Sequence, residues 1–265
     1  MSASYHTHVA ASGLPAMLLA AHGAGLAVLG ISEHVFQLRQ GRPHFPDMPL
    51  EGPLQDLDAY VAEVAYSRAP GMRVCLGLEV DYVPQRMGEL RALCAPHPWD
   101  FLIGSVHEVD GEAIRARRMG DLRRDWTFWR RYCAAQEQAV RSGLFNILGH
   151  PLRLARSVPP PPYLEDLLGP VLDAASVAGV SVELNGDDLG RDAALQGRLI
   201  GWAAGAGASL TFGADAHAPE QVAQNAPLAG ELLRRHSVAG LTGFRGRRAV
   251  SEPLPPAADR GSRVG

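Results

Sequence analysis

Residues 74–82 read VCLGLEVDY, an apolar run of strand length that closes on two acids, Glu79 and Asp81. Continuous apolar character suits a strand covered on both faces, as in a parallel sheet. The acids then stand where that strand leaves the sheet. Working outward, six more short apolar or β-branched runs predict strands over residues 4–8, 27–32, 101–105, 147–149, 180–185 and 209–213. Each ends on or beside polar side chains: His6 and His8 in YHTH, His34 in GISEH, His107 in IGSVH, His150 in ILGHP, Asn185 in VELN, and Asp215 with His217 in FGADAH.

Helical patterns fill the intervals. Leu54, Leu57, Val61 and Val64 recur at helical spacing, as do Leu195, Leu199 and Trp202, and residues 164–178 follow four prolines, a natural helix start. Strand–helix alternation predicts a parallel sheet with right-handed crossovers, as a barrel or an open sheet. In a parallel barrel the strand C-termini share one face, so these polar side chains converge there. Imidazoles and carboxylates are ligands of first-row metal ions. Six of the ten histidines fall in this pattern, and it is the joint pattern that points to a metal site. His22, His97 and His236 read as structural or solvated. His44 belongs to a Gly- and Pro-rich loop, residues 39–53, that can reach the site. Trp126, Trp129 and Tyr132 read as core.

Composition sets the outer bounds. The 265 residues carry 25 basic and 28 acidic side chains, net −3, with 46% hydrophobic residues, enough for a full core. That balance argues against a sequence-independent grip on nucleic acid. All 25 basic residues are arginine, which excludes a Schiff-base lysine, a phosphate-binding GK[ST] loop and a carboxylated lysine between two metals. Cys75, Cys94 and Cys133 are scattered and odd in number, as expected of reduced thiols in a cytoplasmic protein. No run suggests a membrane span. No linker is evident, so residues 1–250 read as one domain and 251–265 as a frayed tail.

Taken in order, HxH, SEH, GLEVDY, GSVH, GHP and GADAH resemble the PHP superfamily, named for polymerase and histidinol phosphatase, and its histidinol-phosphatase branch in particular. The resemblance implies a distorted (β/α)7 TIM-like barrel with a metal site at the C-terminal face of its strands. It implies that His6, His8, Glu79 and Asp215 hold one ion, that Glu79 bridges to a second completed by His107 and His150, and that His34 and His217 hold a third. Two positions depart from the family pattern. Leu14 stands where a further histidine is usual, and Leu152 where an aspartate commonly follows GHP. Two to three divalent ions (zinc, manganese or iron) are therefore expected.

A metal pair can generate hydroxide from water at neutral pH and polarise phosphoryl oxygens. The expected activity is thus a metal-dependent phosphomonoesterase on a small phosphorylated substrate; the resemblance supplies L-histidinol phosphate, a substrate of histidine biosynthesis. Asp215 or His217 is the candidate acid for the leaving alkoxide. Arg117, Arg156 and Arg191 follow the fourth, fifth and sixth strands and are the candidate phosphate clamps, since the guanidinium fork matches phosphate oxygens. Other readings keep the barrel: a different phosphoester or nucleotide, an amidohydrolase bridged by Glu79, or a non-catalytic binding module.

Overall fold

The structure, a computed structural model, describes residues 1–116 and 126–254. Seven strands lie side by side in chain order: β1 (Ala3–Ser4), β2 (Val28–His34), β3 (Arg73–Asp81), β4 (Phe101–Ser105), β5 (Ile147–Leu148), β6 (Ser181–Asn185) and β7 (Leu210–Gly213). All neighbours are parallel. The Tyr5 N–H donates to the Phe212 carbonyl (2.9 Å) and the His8 N–H to the Ala216 carbonyl (2.8 Å), joining the first segment to the last. The ring closes, giving the seven-stranded barrel that the resemblance implied. It is distorted because β1 and β5 are only two residues long.

Helices α1 (Leu14–Gly23), α2 (Leu57–Tyr66), α3 (Met87–Cys94), α4 (Thr127–Arg141) and α5 (Leu164–Ala178) lie between the strands. In α2 (Leu57–Tyr66), Asp56 accepts from the Asp58 and Ala59 N–H groups. Helix α5 (Leu164–Ala178) follows the prolines and ends at Gly179 with φ 67°, the left-handed turn that glycine takes without penalty. The aromatic residues of α4 (Thr127–Arg141) are core: Trp129 and Tyr132 are buried. All three cysteines are buried free thiols, and no described helix is long and apolar enough to cross a membrane.

The barrel's N-terminal end is filled rather than open. Gly30 and Gly77 leave room for the Phe101 ring; a Cβ on Gly77 would fall 2.3 Å from it. Tyr5 packs edge-on against Phe101 (5.4 Å between centroids) and Phe244 (5.9 Å). Phe244 comes from a hairpin of β8 (Gly240–Arg245) and β9 (Arg248–Pro253). Its Gly246–Arg247 turn has φ 53° and 66°, a primed turn written without the usual Asn-Gly signature. The Tyr5 hydroxyl donates to Glu252 (3.0 Å) and accepts from Arg73 (3.2 Å) and the Phe244 N–H (3.2 Å). This corrects the expected tail: Ser251, Glu252 and Pro253 belong to β9. Only its remainder from residue 255 lies outside the described residues.

Strand register delivers the functional side chains. His34 is paired with Glu79 and Asp81 with Ser105 at the C-terminal ends of β2, β3 and β4. Asn185 pairs with Gly213 at the ends of β6 and β7.

Candidate metal centre

Six imidazoles and two carboxylates meet at this rim. Glu79 lies at the centre: its Oε1 is 3.0 Å from His150 Nε2 and 3.8 Å from His107 Nε2, and its Oε2 is 3.4 Å from His6 Nε2 and 3.6 Å from His8 Nε2. His34 Nδ1 is also in contact with Oε2. Asp215 Oδ1 sits 3.7 Å from His6, 3.6 Å from His8 and 3.3 Å from His217. Three donor groups have ligand atoms within 4.8 Å of one another: His6, His8 and Asp215; His6, Glu79 and His150; His8, His34 and His217. Every candidate ligand named from sequence is therefore brought to one place.

Behind the imidazoles stand carboxylates that sequence reasoning left without a role. Glu183 Oε1 takes His6 Nδ1 (2.7 Å) while its Oε2 accepts from the His150 N–H (2.6 Å) and the Asn185 amide (3.1 Å). Asp81 takes His107 Nδ1 (2.6 Å), and Glu51 takes His217 Nδ1 (2.6 Å). Glu33 accepts from the Val9 and Ala10 N–H groups (2.8 Å each) and lies 3.5 Å from His8 Nδ1. A carboxylate on one ring nitrogen fixes the tautomer and turns the other nitrogen's lone pair inward, which raises its basicity toward a cation. Glu33 and Glu183 carried a usable signal, since an acid inside an apolar strand needs a buried partner.

The electrostatics suit a cation. Burial opposes the charge on Glu79, yet His34, His6 and a hydrogen bond from His150 hold its carboxyl well below the ordinary range. Asp215 is likewise held low against its burial by His6, His217 and His8. Burial and Arg153 push His107 down to about 3; burial, Arg153 and His107 do the same to His150. Those rings are neutral donors beside ionised acids. His217 differs: burial works against its charge, but Asp215 and Glu51 raise it to about 10.

Geometry supplies a separate test of fit. His6 Nε2, His8 Nε2 and His107 Nε2 are buried and make no hydrogen bond, an arrangement that costs roughly 1–3 kcal/mol per group. Two donors on one tetrahedral ion with bonds near 2.0–2.2 Å lie about 3.3–3.6 Å apart. Apart from the closer His34–Glu79 contact, the donor separations at Glu79 and Asp215 run from 3.0 to 3.8 Å. The donor set thus fits divalent metal ions.

Residues 3–187 match the family model of the PHP domain. The chain belongs to the PHP domain family. A probable histidinol-phosphatase of Deinococcus radiodurans is 29% identical over 221 residues, covering 77% of this PHP chain and 79% of that protein. A histidinol phosphate phosphatase of Lactococcus lactis, solved with zinc, L-histidinol and phosphate, superposes with a TM-score of 0.77 at 21% identity, over 94% of this chain and 98% of that one. The two departures from the PHP motifs are apolar in place as well as in sequence: Leu14 and Leu152 are buried in the hydrophobic core.

The expected arginine clamps fare unequally. Arg156 reaches the PHP site, with Nη2 3.3 Å from Asp215 Oδ2, but it also binds Asp187 (3.0 Å) and Asp188. Arg191 is largely exposed and turns to Asp187 at 3.1 Å, so it meets the cluster only through that shared acid. Arg117 lies outside the described residues. Sequence reasoning missed Arg153, whose Nη1 is 3.6 Å from Asp215 Oδ2; three residues after His150, it starts the 3-10 turn Arg153–Arg156. His44 does not reach the site, because Glu89 holds its Nδ1 at 3.0 Å.

Proposed function

We propose that this chain is a metal-dependent phosphomonoesterase that hydrolyses L-histidinol phosphate to L-histidinol and phosphate in the cytoplasm. One observation carries the reading: a single carboxylate, Glu79, faces five imidazoles at a barrel mouth that arginines flank. The named relatives supply the substrate. His6, His8, Glu79 and Asp215 would hold one ion, Glu79, His107 and His150 a second, and His34 and His217, joined by His8, a third; zinc, manganese and iron all suit such nitrogen and oxygen donors. Bound ions supply Lewis acidity toward the phosphoryl group and the attacking water.

The chain's own residues do the positioning. Arg153, with Asp215 as its one ion-pair partner among the described residues, is the arginine best placed to take phosphate oxygens, while Arg156 is committed to three acids. Asp215, held ionised, suits a ligand and not a proton donor. His217 can fill only one of its two expected roles at a time. With Nδ1 on Glu51, its Nε2 either faces an ion or carries the proton for the leaving alkoxide.

Steady-state kinetics on a panel of phosphate esters tests the substrate. Histidinol phosphate is expected to exceed a chromogenic ester by at least ~100-fold in kcat/KM; equal rates would overturn it. The arginines give a second expectation. Arg153→Ala lowers kcat/KM ~100-fold with stability within about 0.5 kcal/mol of the parent. Arg156→Ala also costs about 3 kcal/mol, because the buried acid Asp188, which Arg153 does not touch, loses its hydrogen-bonded partner. Urea unfolding beside kinetics separates the two, and an Arg153→Ala enzyme with parental kcat/KM would remove Arg153 from the site.

A further inference from the structure

Between β2 and α2 the chain passes over the barrel mouth, and Glu51 stands on this crossing with Oε2 2.6 Å from His217 Nδ1. The crossing is held at several points. The Glu51 N–H donates to Oε1 of the buried Gln37 (3.0 Å). Arg39 N–H donates to the Gln55 carbonyl (2.7 Å), and Gln55 N–H to the Gln37 carbonyl (3.1 Å). Gly52 lies so close to Ala10 that a Cβ on it would fall 2.3 Å from the Ala10 carbonyl oxygen. Ala10 in turn donates its N–H to Glu33, the acid behind His8. The backbone that places Glu51 therefore packs on the backbone that carries His8.

His217 is held from its other side as well. Its N–H donates to Gln221 Oε1 (2.8 Å), its Nε2 points to Asp215 Oδ1 (3.3 Å), and its ring stacks on His8 at 4.3 Å. Together with His8 and His34 it forms the one donor group of the three that contains no carboxylate. Imidazoles alone bring no negative charge to a divalent cation. Glu51 is outside that group, on the far nitrogen, where Glu183 and Asp81 stand behind His6 and His107.

We infer that Glu51 is a positioning residue that turns His217 Nε2 toward the three-histidine group and lends that group its charge, so that binding of a third ion depends on this crossing loop. The inference rests on the reading that the cluster holds divalent ions, and it acts through His217 alone.

The test is calorimetric titration of the whole chain, stripped with a chelator, with zinc ion alone, alongside elemental analysis after dialysis. The parent is expected to take three ions, and Glu51→Ala to weaken one of them ~10–100-fold while sparing the other two. Glu51→Gln, which keeps an acceptor without the charge, should fall between; it also carries the comparison if the alanine variant fails to fold by circular dichroism. Unchanged affinities in both variants, or an equal loss over all ions, would overturn the role of Glu51. A parent that takes only two ions would overturn it too while leaving the phosphatase reading intact, whereas a parent that takes none would sink both.

Discussion

Glu79→Gln is expected to lower kcat/KM by at least ~10³-fold, about 4 kcal/mol of transition-state stabilisation, and to strip metal from a barrel that stays folded. The size follows from position. Glu79 is fully buried, and its two oxygens lie within 3.8 Å of His6, His8, His107 and His150 and in contact with His34. Among the described residues it is the one carboxylate in contact with both His150 and His34. Glutamine keeps the shape and one oxygen but replaces the other with an amide that repels a cation and offers no lone pair. The barrel itself gains little from the charge, since its closure rests on backbone bonds and on the Tyr5–Phe101–Phe244 plug at the opposite end. Kinetics, circular dichroism and elemental analysis on one preparation check all three parts. Parental turnover with full metal content would remove Glu79 from the mechanism.

Gly213→Ala should damage both fold and site, through sterics alone. A Cβ there would lie 2.0 Å from Glu183 Oε1 and 2.5 Å from the His6 Cβ. Neither neighbour can step aside at low cost. Glu183 is buried and tied to His6, the His150 backbone and Asn185, and His6 is on the segment that closes the barrel. Overpacking of this kind costs roughly 1–3 kcal/mol. Turning His6 away from its orienting carboxylate should cost a further ~10–100-fold in metal affinity. Urea unfolding of metal-free protein measures the first without the stabilisation that bound ions add, and zinc titration measures the second. An unchanged urea midpoint and unchanged zinc affinity would show that the contact relaxes freely.

How much of this could be read from sequence depends on what each residue does. The strand ends were legible because parallel strands buried on both faces make apolar runs, and a polar residue that closes such a run is conspicuous; His107 after FLIGS and His150 after IL are of this kind. Carboxylates one layer behind the imidazoles were harder. Glu33 and Glu183 lie inside their strands, where only the cost of a buried charge marks them. Glu51 had no local signal, because its partner His217 is 166 positions away and the loop between β2 and α2 has no periodicity. Arg153 and Arg156 are equally plausible in LRLAR; only the three-dimensional placement of Asp187 and Asp188 shows that Arg156 is already engaged. The terminal hairpin escaped because Arg-Gly-Arg-Arg does not announce a turn.

Anomalous scattering from crystals of the protein grown with zinc or manganese would bear most directly on the proposed centre. The prediction is at least two strong peaks, one within bonding distance of the His6, His8, Glu79 and Asp215 donor atoms and one within bonding distance of those of Glu79, His107 and His150. Peaks elsewhere, or none between these side chains, would contradict it.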